Sequence, residues 1–190
     1  FAPLIPQYSE ELGKVHAYDL DKAKSLLAES GVSLPIDLEI IMNGAVPAME
    51  QIATILQSVW SQIGVNLKID KLPLSDYSNR ANNTGDYDLM LGVDGPGVVD
   101  GGFYLGYAMG CSDAFSGSSV CVPGADELLT QARQETDDTK RQQLYDEITS
   151  KWIADASMIQ LFADKAITVL NPRVTSYAYS QHTDMRTWSK

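Results

Sequence analysis

The chain is 190 residues long and carries 14 basic and 25 acidic side chains, a net charge of −11. A surface this acidic repels phosphate backbones and anionic lipid, so nucleic acid and membrane surfaces are poor partners. Apolar residues make up 44% and charged residues 21%, the balance of a soluble globular protein with core enough for one domain or two small ones.

No apolar run approaches the roughly 20 residues of a spanning helix. No charged-then-apolar leader opens the chain, so export information is expected to have been removed or to lie upstream. The first periodic stretch, Asp19 to Ser30, predicts a helix: Asp19 caps it, Ala23, Leu26 and Leu27 share a face, and Gly31 ends it. Ile36, Leu38, Ile40 and Met42 alternate with Asp37, Glu39 and Ile41, a half-buried strand. A helix follows from about Pro47 to Ile63, with Ile52, Ile55, Leu56, Val59 and Ile63 as its apolar stripe and Gly64 as its stop. Val65, Leu67 and Ile69 alternate as a second strand.

The polar run "SDYSNRANNTGD" predicts a short helix ending at Gly85, and "YDLML" a brief apolar strand. Beyond the cysteines, "ADELLTQARQET" and "TKRQQLYDEITSKWIADA" read as two helices. The second starts at Asp137 or Asp138 and buries Leu144, Tyr145, Ile148 and Trp152. "SMIQLFADKAITVL" reads as one or two strands split near Ala163–Lys165. Strand, helix and strand alternate through the first half, so the fold class is α/β with a mixed sheet flanked by helices on both faces. Binding loops in such a sheet lie beyond the carboxyl ends of the strands, which selects Asn43–Val46 and Gly92–Gly102.

The second of these loops is rich in glycine and opens several chemistries. Gly95-Pro96-Gly97-Val98-Val99-Asp100 nearly matches a dinucleotide fingerprint after a strand. Asp100 stands where the last glycine is needed, and Pro96 removes a donor N–H, which argues against phosphate. Asp94 and Asp100 lack the alternating carboxylates and distal glutamate of a calcium loop. The histidines, His16 and His182, stand near opposite ends of the chain and form no catalytic set. "GCSDA" fails the nucleophile-elbow pattern, leaving Ser112 and Asp113 as the whole basis for a hydrolase. Asn82-Asn83-Thr84 matches a glycosylation acceptor, a pattern short enough to arise by chance. No catalytic residue, metal ligand or cofactor is therefore expected.

Cys111 and Cys121 lie in a Ser/Gly segment without zinc or redox spacing. They read as a disulfide closing a short loop, the alternative being two unrelated thiols, and a disulfide would place the chain in an oxidising compartment. Phe103, Tyr104 and Tyr107 follow the glycine loop at spacings that put them on one side of a helix. They read either as core or as a wall on which a ligand stacks.

"YDLDKAKSLLAESG", "AMEQIATILQSVWSQIGVNLKI", "GDYDLMLG", the run from Leu128 to Phe162 and "HTDMRTWS" occur in an order that resembles the peptide- and nickel-type (family 5) solute-binding proteins of ABC importers. The likeness covers nearly the whole chain. It implies a periplasmic-binding-protein-like lobe of type II, specifically the second lobe of a longer protein. Residues 1–7 would be the hinge crossing, 8–180 the ligand-binding lobe and 181–190 a return segment toward lobe I. It further implies a periplasmic or cell-surface location, an ABC permease as partner, and capture of a small solute such as a peptide, sugar or opine-like compound without covalent chemistry. Val93, Asp94, Gly95, Pro96, Gly97, Phe103 and Tyr107 are the residues expected to line the cleft. The family's peptide binders place a tryptophan where Val93 stands and an amine-pairing aspartate where Pro96 stands, and the prolines usual at Ser157 and Gln160 are also replaced. A second reading keeps the fold but makes it a sensory or protein-interaction module.

Overall fold

The computed structural model describes residues 8–92, 101–112, 120–162 and 169–174. The chain divides into two compact units, Phe1–Gln160 and Leu161–Lys190. In the first, a 3-10 turn at Leu12–Lys14 precedes helix α1, Leu20–Glu29. The Asp19 carboxylate accepts from the Lys22 N–H at 2.9 Å, satisfying one of the free donors that every helix start leaves. The expected face of α1 is only partly covered: Ala23 and Leu27 are half-buried, Leu26 is exposed, and the helix has no fully buried residue.

Strands β1 (Ile36–Asn43), β2 (Val65–Leu72) and β3 (Leu89–Leu91) form a sheet in the order β2-β1-β3. All the described pairings are parallel, with Ile40 opposite Ile69 and Leu89. Parallel neighbours require crossovers, and helix α2 (Pro47–Ser61) supplies the one between β1 and β2. It lies on one face, where Ile40, Met42, Leu67 and Leu91 meet Met49 and Ala53 in one core cluster. Proline begins α2 as predicted, and Ile52 and Leu56 of the expected stripe pack against this cluster, with Ile55 the one member that departs. Met49 and Ala53 are buried while Ile55 is 63% exposed. Ile55 stands two residues beyond Ala53, about 200° round the helix, and so faces away from the sheet.

The other face of the sheet is covered by α3 (Leu74–Asn79), which continues into a π-helical turn at Arg80–Thr84. That cover explains why Ile41 is fully buried although the alternation places it on the polar side. Gly85, at φ 64°, ends the turn, its N–H donating to the Arg80 carbonyl at 2.9 Å. A left-handed residue is favoured here, and glycine adopts it without steric cost.

Helices α4 (Gly101–Met109), α5 (Ala125–Gln134) and α6 (Asp138–Asp155) enclose a second cluster of Leu105, Met109, Val122, Leu129, Tyr145, Ile148 and Trp152. The Asp137 carboxylate caps α6, accepting from the Thr139 and Lys140 N–H groups at 2.9 and 3.0 Å. The strand expected from Ser157 onward is not formed by 157–162 or 169–170. Ile159 and Phe162 are exposed there, so the apolar content that suggested a strand is not buried against a sheet in those positions. The remainder of that segment, and the expected crossings at 1–7 and 181–190, lie outside the described residues.

Candidate functional site

The parallel strands all end on one edge of the sheet, at Asn43, Leu72 and Leu91. Asn43–Val46 makes a tight turn there: the Asn43 Oδ1 accepts from the Ala45 N–H at 3.0 Å, and the Gly44 N–H donates to the Leu72 carbonyl at 2.9 Å. A Cβ at Gly44 would meet that carbonyl at 3.4 Å, an ordinary contact, so the turn is held by these two hydrogen bonds and not by a need for glycine. At the end of β3 the Tyr77 hydroxyl donates to the Leu91 carbonyl at 3.2 Å. This fixes the direction in which the chain leaves the sheet at exposed Gly92. Val93, Asp94, Gly95, Pro96 and Gly97, the expected loop residues, lie outside the described residues.

Phe103 and Tyr107 are brought together on one face of α4, 51% and 41% exposed. The opposite face is fully buried through Leu105, Ala108 and Met109, so burial of one stripe presents the other. Gly102 makes this packing possible, since a Cβ there would come within 2.5 Å of the Tyr145 hydroxyl and 3.1 Å of its ring. Tyr104 departs from the expected wall. Its ring packs on Trp152 with centroids 6.2 Å apart, and its hydroxyl points at the Met158 sulfur 3.9 Å away. A single turn of helix therefore carries two exposed aromatics and a half-buried one that packs on the core.

Cys111 and Cys121 form a disulfide, with Cα atoms 4.5 Å apart. The cysteine pair is thus a staple at the carboxyl end of α4. Asp126, an ordinary first-turn acid in the sequence, accepts from the Cys111 N–H at 2.9 Å. Sequence reasoning gives neither Asp126 nor Tyr77 a role. Asp126 carries one weak signal, its place just after Gly124 at a helix start, and Tyr77 carries none.

The polar face of the sheet holds an ion-pair cluster. Glu39 pairs with Lys68 at 2.6 Å and with Arg80, which also reaches Asp70 at 2.8 Å. Hydrogen bonds first from the Lys68 ammonium and then from the Arg80 guanidinium hold the Glu39 carboxyl below its ordinary value. The Glu39 carboxylate in turn raises both Lys68 and Arg80. These groups reach solvent, so screening keeps the stabilisation modest. A groove nearby, lined by Asp37, Leu38, Glu39, Asn66, Leu67, Lys68 and Asp88, surrounds the amino-terminal halves of β1 and β2. It lies at the wrong end of the strands for a binding loop. Its polar groups are also partnered: Asn66 donates to Asp37 at 2.8 Å, and Asp88 accepts from the Glu39 N–H at 2.7 Å. Among the described residues no three His, Cys, Asp or Glu side chains converge to hold a metal ion, and no helix is long and apolar enough to cross a membrane.

A family model, "Bacterial extracellular solute-binding proteins, family 5 Middle", matches residues 1–116. The Di/tripeptide-binding protein 1 of Pseudomonas aeruginosa is 33% identical over 144 residues, covering 72% of this chain and 26% of the relative. The ABC transporter substrate-binding protein CtaP of Listeria monocytogenes superposes with a TM-score of 0.67 at 26% identity, covering 81% of this chain and 31% of CtaP. AgaA of A. tumefaciens, solved with agropinic acid, shares the fold, with a TM-score of 0.67 at 21% identity over 77% of this chain and 30% of AgaA. The chain thus spans about a quarter to a third of the length of these relatives. With a model match over residues 1–116 of 190, the chain belongs to the bacterial extracellular solute-binding proteins of family 5.

Proposed function

We propose that this chain is the second lobe of an extracytoplasmic solute-binding protein that serves an ABC importer, and that α4 presents Phe103 and Tyr107 to the solute. The observation that carries the reading is the two-faced helix. Its buried stripe is locked into the core while two aromatic rings stand exposed beside each other, directly after the predicted cleft loop. Capture would occur without covalent chemistry, by closure of a first lobe over this one, with residues 1–7 and 181–190 as the crossings. Periplasmic or cell-surface location and a membrane permease as partner follow from the family, and an exposed disulfide suits that compartment.

The solute is a small molecule of the peptide, sugar or opine class. The P. aeruginosa relative is a di/tripeptide-binding protein and AgaA was solved with agropinic acid, so both peptides and opines are within reach of this fold. Val93 and Pro96 replace the tryptophan and aspartate that the family's peptide binders use at the amino end, which shifts the preference away from general peptides. Asp94 would accept from an amine or hydroxyl, and the N–H groups of Gly95 and Gly97 would donate to a carboxylate or hydroxyl. Native mass spectrometry of the intact protein purified from its host tests this. A retained small molecule within these classes is expected. A protein that carries no solute, shows no thermal shift with any, and is instead captured with a receptor would overturn the reading in favour of an interaction module.

A further inference from the structure

The carboxyl end of α4 is tied to the start of α5 by three independent links within a few residues. The Val122 N–H donates to the Met109 carbonyl at 3.0 Å. The Asp126 carboxylate accepts from the Cys111 N–H at 2.9 Å. The Cys111–Cys121 disulfide joins the same two strips of chain covalently. Val122, between the covalent link and the hydrogen-bonded aspartate, is itself buried and belongs to the α4–α5–α6 core. Both cysteines are exposed, so the bond is accessible from solvent. By contrast, the β1–β2–β3 and α2 core contains no residue of this junction. The geometry points to a redox-sensitive brace: the disulfide and Asp126 together hold the end of α4, and reduction loosens the helix that carries Phe103 and Tyr107 while the sheet stays folded.

The chemistry is a two-electron exchange with a dithiol. A thiolate of the reductant attacks one cysteine sulfur and the S–S bond breaks. The second thiol of the reductant then displaces the first cysteine, leaving two Cys thiols and an oxidised cyclic disulfide. Two weak links remain afterwards, the Met109–Val122 and Cys111–Asp126 hydrogen bonds. The Cys111–Asp126 bond is exposed, the kind that local opening breaks without global unfolding, while the Met109–Val122 bond joins two buried residues and opens only if the end of α4 lifts from the core. The consequence for solute capture rests on the proposed function, because only there do Phe103 and Tyr107 touch a ligand. The brace itself does not depend on it. Asp126 is in this sense a positioning residue that acts through the backbone of Cys111.

Hydrogen exchange read by mass spectrometry on the intact protein carrying this chain tests the brace, comparing the oxidised form, the form reduced with dithiothreitol, and the oxidised Asp126→Ala variant. Reduction is expected to speed exchange in peptides spanning 101–111 by about tenfold or more, with peptides of β1, β2 and α2 within about twofold. Asp126→Ala is expected to give a smaller acceleration confined to the same peptides. Unchanged exchange over 101–111 after reduction would overturn the brace, and so would equal acceleration in the sheet. Titration with L-alanyl-L-alanine and with octopine in both redox states separates the two readings. Loosened α4 with weaker binding supports both. Loosened α4 with neither probe bound in either state keeps the brace, and the solute reading then falls to the search for a retained ligand.

Discussion

Gly102 and Tyr145 meet where α4 crosses α6, and the absence of one methyl group sets how closely the helices approach. A Cβ at Gly102 would sit 2.5 Å from the Tyr145 hydroxyl and 3.1 Å from its ring, and a ring is too stiff to yield cheaply. Gly102→Ala is therefore expected to destabilise the protein by about 1–3 kcal/mol, the usual cost of overpacking a core, read as a lower midpoint in urea with an unchanged slope. An equal midpoint would mean that α6 shifts freely. Glu39 works by charge instead. Its carboxyl is held low by Lys68 and Arg80, so its contribution is complete above the ordinary carboxylate value of 4.5 and is lost as pH falls through the lowered one. Thermal unfolding of the wild type should thus fall more steeply below about pH 4.5 than that of Glu39→Gln, while the variant is the less stable at neutral pH. Parallel curves for the two proteins would show that Glu39 is not coupled to folding.

At the scale of elements, helix ends are where local chemistry decides. Asp137 caps α6 through two N–H groups, and Asp137→Ala should cost about 1 kcal/mol. The other end of α6 closes on Ala156 at φ 55°, whose N–H donates to the Trp152 carbonyl at 3.1 Å. That left-handed position strains a residue with a Cβ. Ala156→Gly should stabilise by roughly 0.5–1 kcal/mol after the greater chain freedom of unfolded glycine is subtracted, and a lower melting temperature would refute that assignment. Caps and stops of this kind are legible in the sequence because their partners are neighbours: Asp19, Asp137, Pro47 and Gly85 all mark the boundaries they predict. Faces are less legible. Ile41 is buried by a helix and turn more than thirty residues later in the chain, and α2 buries Met49 and Ala53 beside the expected Ile52 and Leu56 while Ile55 stays exposed. Ser157–Phe162 reads as strand by composition, yet 157–162 forms no strand and Ile159 and Phe162 stay exposed.

For the whole molecule, two cores form side by side in sequence order, one built on the parallel sheet and the other on three helices, and the junction between chemistry and fold falls on α4. The site is legible there only in part. The spacing of Phe103 and Tyr107 gives their common face, but the same spacing cannot separate Tyr104, which Trp152 and Met158 draw inward from distant positions in the chain. Solute capture through α4 requires that this exposed pair meets the solute. Calorimetric titration of the intact protein with the ligand it retains, or with L-alanyl-L-alanine and octopine, measures this most directly when wild type is compared with Phe103→Ala plus Tyr107→Ala. The account predicts affinity lowered by about tenfold or more, the worth of two stacking rings, with an unchanged melting temperature because both rings are exposed. Equal affinity in wild type and double variant would contradict it.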